Sequence, residues 1–169
     1  MKRTVLFSLF CAVFLFGAAS AGFALDTLNV GLPGDAKSLD PHQSVDNMSF
    51  SVIKHFYEAL VTVDGKTREL VPVLAEKYEI LDEKTYKFYL KKGVKFHNGD
   101  ELTADDVVFS FDRVIQDGAI GGRTSPRKGL LGPLTSVEKV DNRTVRLRLA
   151  SPFPVLLQAL VHVHIVPRY

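Results

Sequence analysis

Between Tyr86 and Lys91 apolar and charged positions alternate, with Tyr86, Phe88 and Leu90 on one side and Lys87, Tyr89 and Lys91 on the other. A period of two predicts a half-buried strand. Glu79, Ile80 and Leu81, followed by the polar turn Asp82-Glu83-Lys84, supply an antiparallel hairpin partner. Asn98-Gly99-Asp100 is a second turn, because Gly tolerates positive φ and Asn or Asp side chains bond to nearby backbone. Beyond it the period changes. Val108, Phe111 and Ile115 recur at spacings of three and four, which predicts a helix over residues 104–116 with one apolar stripe. Thr103 precedes that run and stands three residues before Asp106, the arrangement of an N-terminal cap with acids in the first turn. Asp105 and Asp106 therefore read as a helix start and not as an acid/base pair.

The same periodicities carry the rest of the chain. Residues 27–32 read as a strand ended by Pro33-Gly34, and Pro41 biases Asp40 away from helix. Asp46 or Asn47 caps a predicted helix carrying Phe50, Ile53, Phe56 or Tyr57, and Leu60. Residues 61–63 and 78–81 read as strands, with a short helical turn over 72–76 between them. Residues 137–140 and 144–149 flank the turn Asp141-Asn142-Arg143; Val145, Leu147 and Leu149 alternate with Arg146 and Arg148, so one face is buried. Residues 153–161 are apolar enough for a final packed helix. Residues 117–132, with five glycines and a proline, form the loosest stretch and the expected mobile loop.

The amino terminus sets the compartment. Met1-Lys2-Arg3 is basic, residues 5–16 are apolar apart from Ser8, and small residues follow, the three-part plan of a secretory signal peptide. A dozen apolar residues fall short of the roughly 20 that span a bilayer. Cleavage after Ala21 or Ala24 fits the small-residue pattern, and Ala24 is the expected site. The one cysteine, Cys11, lies inside the apolar run, so the mature chain is expected to carry no thiol, disulfide or cysteine-held zinc. Removing residues 1–24 takes away Lys2 and Arg3 and no acid, which leaves 19 basic against 19 acidic residues. Such a balance gives no electrostatic footprint for nucleic acid or an anionic membrane.

Several ordered segments together resemble the family 5 extracytoplasmic solute-binding proteins, which feed ABC importers with peptides, nickel or glutathione. They are GDAKSLDPH (34–42), FYEALVTVDG (56–65), LVPVLAEKYEI (70–80), the stretch 75–115, and SPFPVLLQAL (151–160). The resemblance implies an α/β, class II periplasmic-binding-protein-like fold, of which the start of lobe I and its satellite subdomain are present. The divisions it implies are a signal peptide at 1–24, the start of lobe I at 25–56, the satellite at 57–165 and a return towards lobe I at 166–169. It further implies a fragment of a longer, monomeric receptor that captures a peptide-like solute and passes it to a membrane permease, with no catalysis and no cofactor. A secreted hydrolase with its catalytic residues elsewhere, or a nickel receptor or sensor of the same fold, is the alternative.

The resemblance also nominates site residues. Ser44, Val45, Asp46, Asn47 and Met48 match the segment that lines the pocket from lobe I, where free backbone groups can bind a carboxylate or polar solute; Asp46 and Asn47 serve equally as helix caps. Arg127, in the glycine-rich loop, matches the place where satellite residues approach ligand, and otherwise reads as a solvated charge. His162 and His164 alternate on one segment but make no complete metal site. His42, His55 and His97 are scattered, and no Ser-His-Asp set can be argued from them. No phosphate-loop lysine follows Gly118–Gly122.

Overall fold

In the computed structural model, which describes residues 29–168, two tight hairpins build the main sheet. Strand β3 (Ala75–Asp82) pairs antiparallel with β4 (Thr85–Leu90), and β5 (Leu134–Asp141) with β6 (Thr144–Leu149). Each two-residue loop is closed by an aspartate: Lys84 N donates to Asp82 Oδ1 and Arg143 N to Asp141 Oδ1, both at 2.8 Å. Pairing of β4 with β6 joins the hairpins into a sheet of order β3-β4-β6-β5. A second sheet consists of β1 (Val61–Val63) and β2 (Leu70–Pro72).

The alternation read from β4 and β6 is what fills the core. Tyr86, Phe88 and Leu90 are buried on the inner face beside Val145, Leu147 and Leu149, and full burial of each large apolar side chain contributes about 1.5–3 kcal/mol. Helix α2 (Ala104–Ile115) packs against β5 and β6. Its start is held as expected, with the Asp106 carboxylate accepting from the Thr103 N–H (2.9 Å) and hydroxyl (2.7 Å). The buried stripe differs by one position from the predicted one. Ala104, Val107, Phe111 and Val114 face inward, while Val108 and Ile115 flank them half-buried. The cause is polar: Ser110 donates to Asp106 O (2.7 Å) and accepts from Val166 N (2.9 Å) inside the interface. Hydropathy assigns Ser110 and Asp106 to solvent and so rotates the helix.

Other expectations are corrected. The stretch 72–76, expected as a helical turn, is instead the end of β2, a bend at 73–74 and the start of β3, because Val73 N and Ala75 N both donate to Leu60 O (3.0 and 3.1 Å) and so bond to a neighbouring segment instead of along a helix. Helix α1 is shorter than predicted, Asn47–Ile53; beyond it the chain turns, so Phe56 is exposed while Leu60 enters the core. The last helix, α3, covers only Leu156–Leu160. In the strand expected over 27–32, the described part, 29–32, is not strand. The signal peptide, Cys11, Thr27 and Leu28 lie outside the described residues.

The glycine-rich stretch has local structure of its own. Lys128 pairs with Asp117 (2.9 Å), a 3-10 turn spans Lys128–Leu131, and Gly132 sits at φ +55° under the Phe153 ring, where a Cβ would lie 2.9 Å from ring carbon. After α3 the chain runs back as an extended segment held largely by side chains. Ala59 and His164 form an antiparallel bridge, and Ile165 N donates to Glu58 O (2.8 Å). Val166 N reaches Ser110 Oγ, and Arg168 N reaches Asp106 Oδ1 (2.9 Å).

Candidate functional site

The turn before α1 is organised by Asp40. Its carboxylate accepts from His42 N (2.9 Å), Gln43 Nε2 (2.9 Å) and Arg113 Nη2 (2.7 Å). Burial alone would raise its pKa, but the Arg113 guanidinium and these hydrogen bonds hold it below the usual carboxylate value. His42 is fully buried. Its Nδ1 lies 3.0 Å from Arg113 Nη1 and its Nε2 2.8 Å from His164 O. A guanidinium only donates, so Nδ1 is the acceptor and Nε2–H donates to the carbonyl. His42 is therefore neutral, and burial pushes its pKa down to about 4, with Arg113 and Arg127 adding to the effect.

The nominated residues take distinct places on this frame. Ser44 is buried and donates to Ser38 O (3.1 Å), and Val45 is 66% exposed. Asp46 is the N-cap of α1, accepting from Ser49 N at 2.9 Å, a bond that lowers its pKa. Asn47 is exposed at the first helical position and Met48 half-buried beside it. Arg127 is no solvated charge. It is 5% exposed, its Nε donates to Pro41 O (2.8 Å), and its guanidinium carbon stands 4.9 Å from the centre of the Phe50 ring. Ser125 donates to His42 O (2.6 Å) and Arg123 to Gln43 Oε1 (2.6 Å). The glycine-rich loop and the turn of residues 40–48 are thus laced together over α1.

Phe50 is the centre of a wider cluster. The His162 and His164 rings lie 5.7 and 5.6 Å from it, and Lys54 Nζ stands 5.2 Å from its centre. Burial, and after it Arg127, pushes His164 down to about 4. A groove of about 670 Å³ is lined by Leu39, Phe56, Tyr57, Phe96, Leu102 and Ile165 among others, and by none of the nominated residues. Among the described residues no three His, Cys, Asp or Glu side chains are grouped to hold a metal ion.

Residues 69–168, more than half of the chain, match the family model described as bacterial extracellular solute-binding proteins, family 5 Middle. The chain belongs to this family. Among curated family 5 relatives, the glutathione-binding protein GsiB of Shigella boydii is 34% identical over 145 residues, covering 85% of this chain and 27% of that protein. The chain thus spans about a quarter of the length of the curated relatives it matches. Among solved structures, the oligopeptide-binding protein AppA of Bacillus subtilis, in complex with a nonapeptide, superimposes with a TM-score of 0.69 at 32% identity, covering 75% of this chain and 25% of that one. The ABC transporter-associated periplasmic binding protein DppA of Helicobacter pylori, in complex with the peptide STSA, gives 0.70 at 27% identity, covering 79% and 29%. The fold is accordingly α/β and of the class II periplasmic-binding-protein kind.

The sequence alone did not point to the residues that brace this turn. His42, Arg113 and His164 carry no local signature, since Arg113 lies 71 positions from His42 and His164 lies 122. Phe50 was legible as a core position of a helix, but not as the platform under Arg127. The available signal was the pair of histidines set in an otherwise apolar run at the end of the chain, which marks polar groups that the fold must satisfy.

Proposed function

We propose that this family 5 chain belongs to an extracytoplasmic receptor that captures a small peptide-like solute and delivers it to an ABC permease, acting as a monomer and without turnover. In this reading residues 1–24 direct export, 25–56 open lobe I, 57–165 form the satellite and 166–169 return towards lobe I. Ser44, Val45, Asp46, Asn47, Met48 and Arg127 approach the solute. The observation that carries the reading is the lacing of the 40–48 turn to the Arg127 loop over one helix, through Ser125 to His42, Arg127 to Pro41 and Arg123 to Gln43. Two segments about 80 residues apart are held as one surface by two bonds to backbone and one between side chains, while the Asn47 and Val45 side chains stay exposed. Relatives named for binding glutathione or peptides make a peptide-like solute the fitting class.

The test is native mass spectrometry of the protein purified gently from the extracytoplasmic fraction, followed by calorimetry with glutathione and short peptides. A peptide-like solute released intact is the expected result. Absence of any bound solute together with no heat from these probes would sink the reading, as would a cytosolic protein retaining Met1.

A further inference from the structure

Arg127 is the charged residue that packing explains least. It is 5% exposed, yet none of the ion pairs among the described residues includes it. A guanidinium presents five N–H donors in a planar fork. Here one of them, at Nε, is used by Pro41 O. The enclosed side-chain atoms lacking any partner are Arg146 Nε and His164 Nδ1, and neither Nη of Arg127 is among them. A nearly buried cation without a counter-ion is costly, and proteins seldom keep one unless something else neutralises it.

The surroundings sharpen the point. Lys54 Nζ and the Arg127 guanidinium both approach the Phe50 ring, at 5.2 and 4.9 Å, so two like charges share one platform. The acids of the 40–48 turn that packs against it are already engaged, Asp40 by Arg113 and Asp46 by the start of α1. Burial lowers the pKa of Arg127, with no opposing effect from a carboxylate. His162 and His164 bring no negative charge. A planar anion laid against the free side of the fork would neutralise the excess and take two parallel N–H bonds, the geometry in which Arg holds a carboxylate.

We infer that Arg127 is a carboxylate-binding point of the solute site, holding an acid group of the captured molecule above the Phe50 platform. This rests on the receptor reading above and adds to it that the solute must carry a carboxylate within reach of the satellite loop. A carboxylate from the protein's own polypeptide has the same chemistry, so the experiment separates the two sources.

NMR on the 15N-labelled chain follows the Arg127 Nε–Hε resonance and the Phe50 ring protons. Sodium acetate is titrated against sodium chloride at equal ionic strength, then glutathione against glutathione diethyl ester, in which both carboxylates are blocked. Acetate should give a saturable shift that chloride does not, glutathione should give it at a concentration at least about tenfold lower, and the ester should bind at least about tenfold more weakly. Arg127→Gln should weaken glutathione by a similar factor; should that variant fail to fold, the acid-to-ester ratio on the unaltered chain decides. An acetate response equal to chloride, or an ester that binds as well as the acid, overturns the inference. Glutathione shifting other resonances but not those of Arg127 overturns it while leaving the receptor reading intact. Glutathione and short peptides shifting nothing, with acetate still titrating Arg127, overturns the inference and assigns the counter-ion to the protein itself.

Discussion

Arg113 grips two partners at once, the Asp40 carboxylate and the His42 ring, and the second contact requires an imidazole without a proton on Nδ1. Protonating His42 would set two donors face to face beside the Arg113 and Arg127 charges. His164 is hemmed in by Arg127, His42, His162 and Lys54. Both histidines sit at about 4 in the folded chain, against 6.5 for a free imidazole. Between those values the unfolded chain takes up protons that the folded chain refuses, so acid favours unfolding. Stability should be flat above about pH 7 and fall from about pH 6.5 to 4, by at most on the order of 3 kcal/mol for each histidine. Asp112, whose carboxyl burial pushes upward, works in the opposite sense at the acid end. Urea denaturation at pH 7.5, 5.5 and 4.5 measures the trend, and a chain as stable at 4.5 as at 7.5 would show that the two rings are not held neutral.

At the scale of elements, the one-residue offset of α2 has a direct energetic reading. Phe111 is fully enclosed between the helix and the sheet, whereas Val108 lies on the flank. Phe111→Ala should cost roughly 3–5 kcal/mol and Val108→Ala only about 1 kcal/mol, measured as the difference in unfolding free energy. Equal costs would restore the stripe that hydropathy alone predicts. The hairpins, the Thr103 start of α2 and the inward faces of β4 and β6 were legible because neighbours in sequence settle them: an aspartate two residues before the N–H it binds, an acid three residues after its cap. The inward roll of α2 was not, because Ser110 is drawn inside by Val166, 56 positions away. The non-helical course of 73–75 was hidden for the same reason, since the Leu60 carbonyl that receives it belongs to another segment. Asp46 as a cap was readable; the burial of Arg127 was not, because it depends on Pro41 and Phe50 arriving from elsewhere in the chain.

For the molecule as a whole, the returning segment is fastened by Ser110 and Asp106 on α2, by Glu58 and, through its His164 carbonyl, by His42. Hydrogen exchange should find the amides of Ile165, Val166 and Arg168 protected together with the core. Ser110→Ala removes both bonds to Val166. It should release the Val166 amide preferentially, leaving that of Ile165, which bonds Glu58, much less affected. Uniform loss along the segment would mean that the helix anchors it only as a block. The bridge between Ala59 and His164 has a consequence of another kind. Paired residues of antiparallel strands stand only about 4.5–5.5 Å apart, so everything from residue 60 to 163 leaves and re-enters through a single gate. Such a closed circuit is a natural cassette: a short turn joining its two ends would make this stretch a circle, and new termini cut at the Glu83-Lys84 loop would permute it without crossing a core strand.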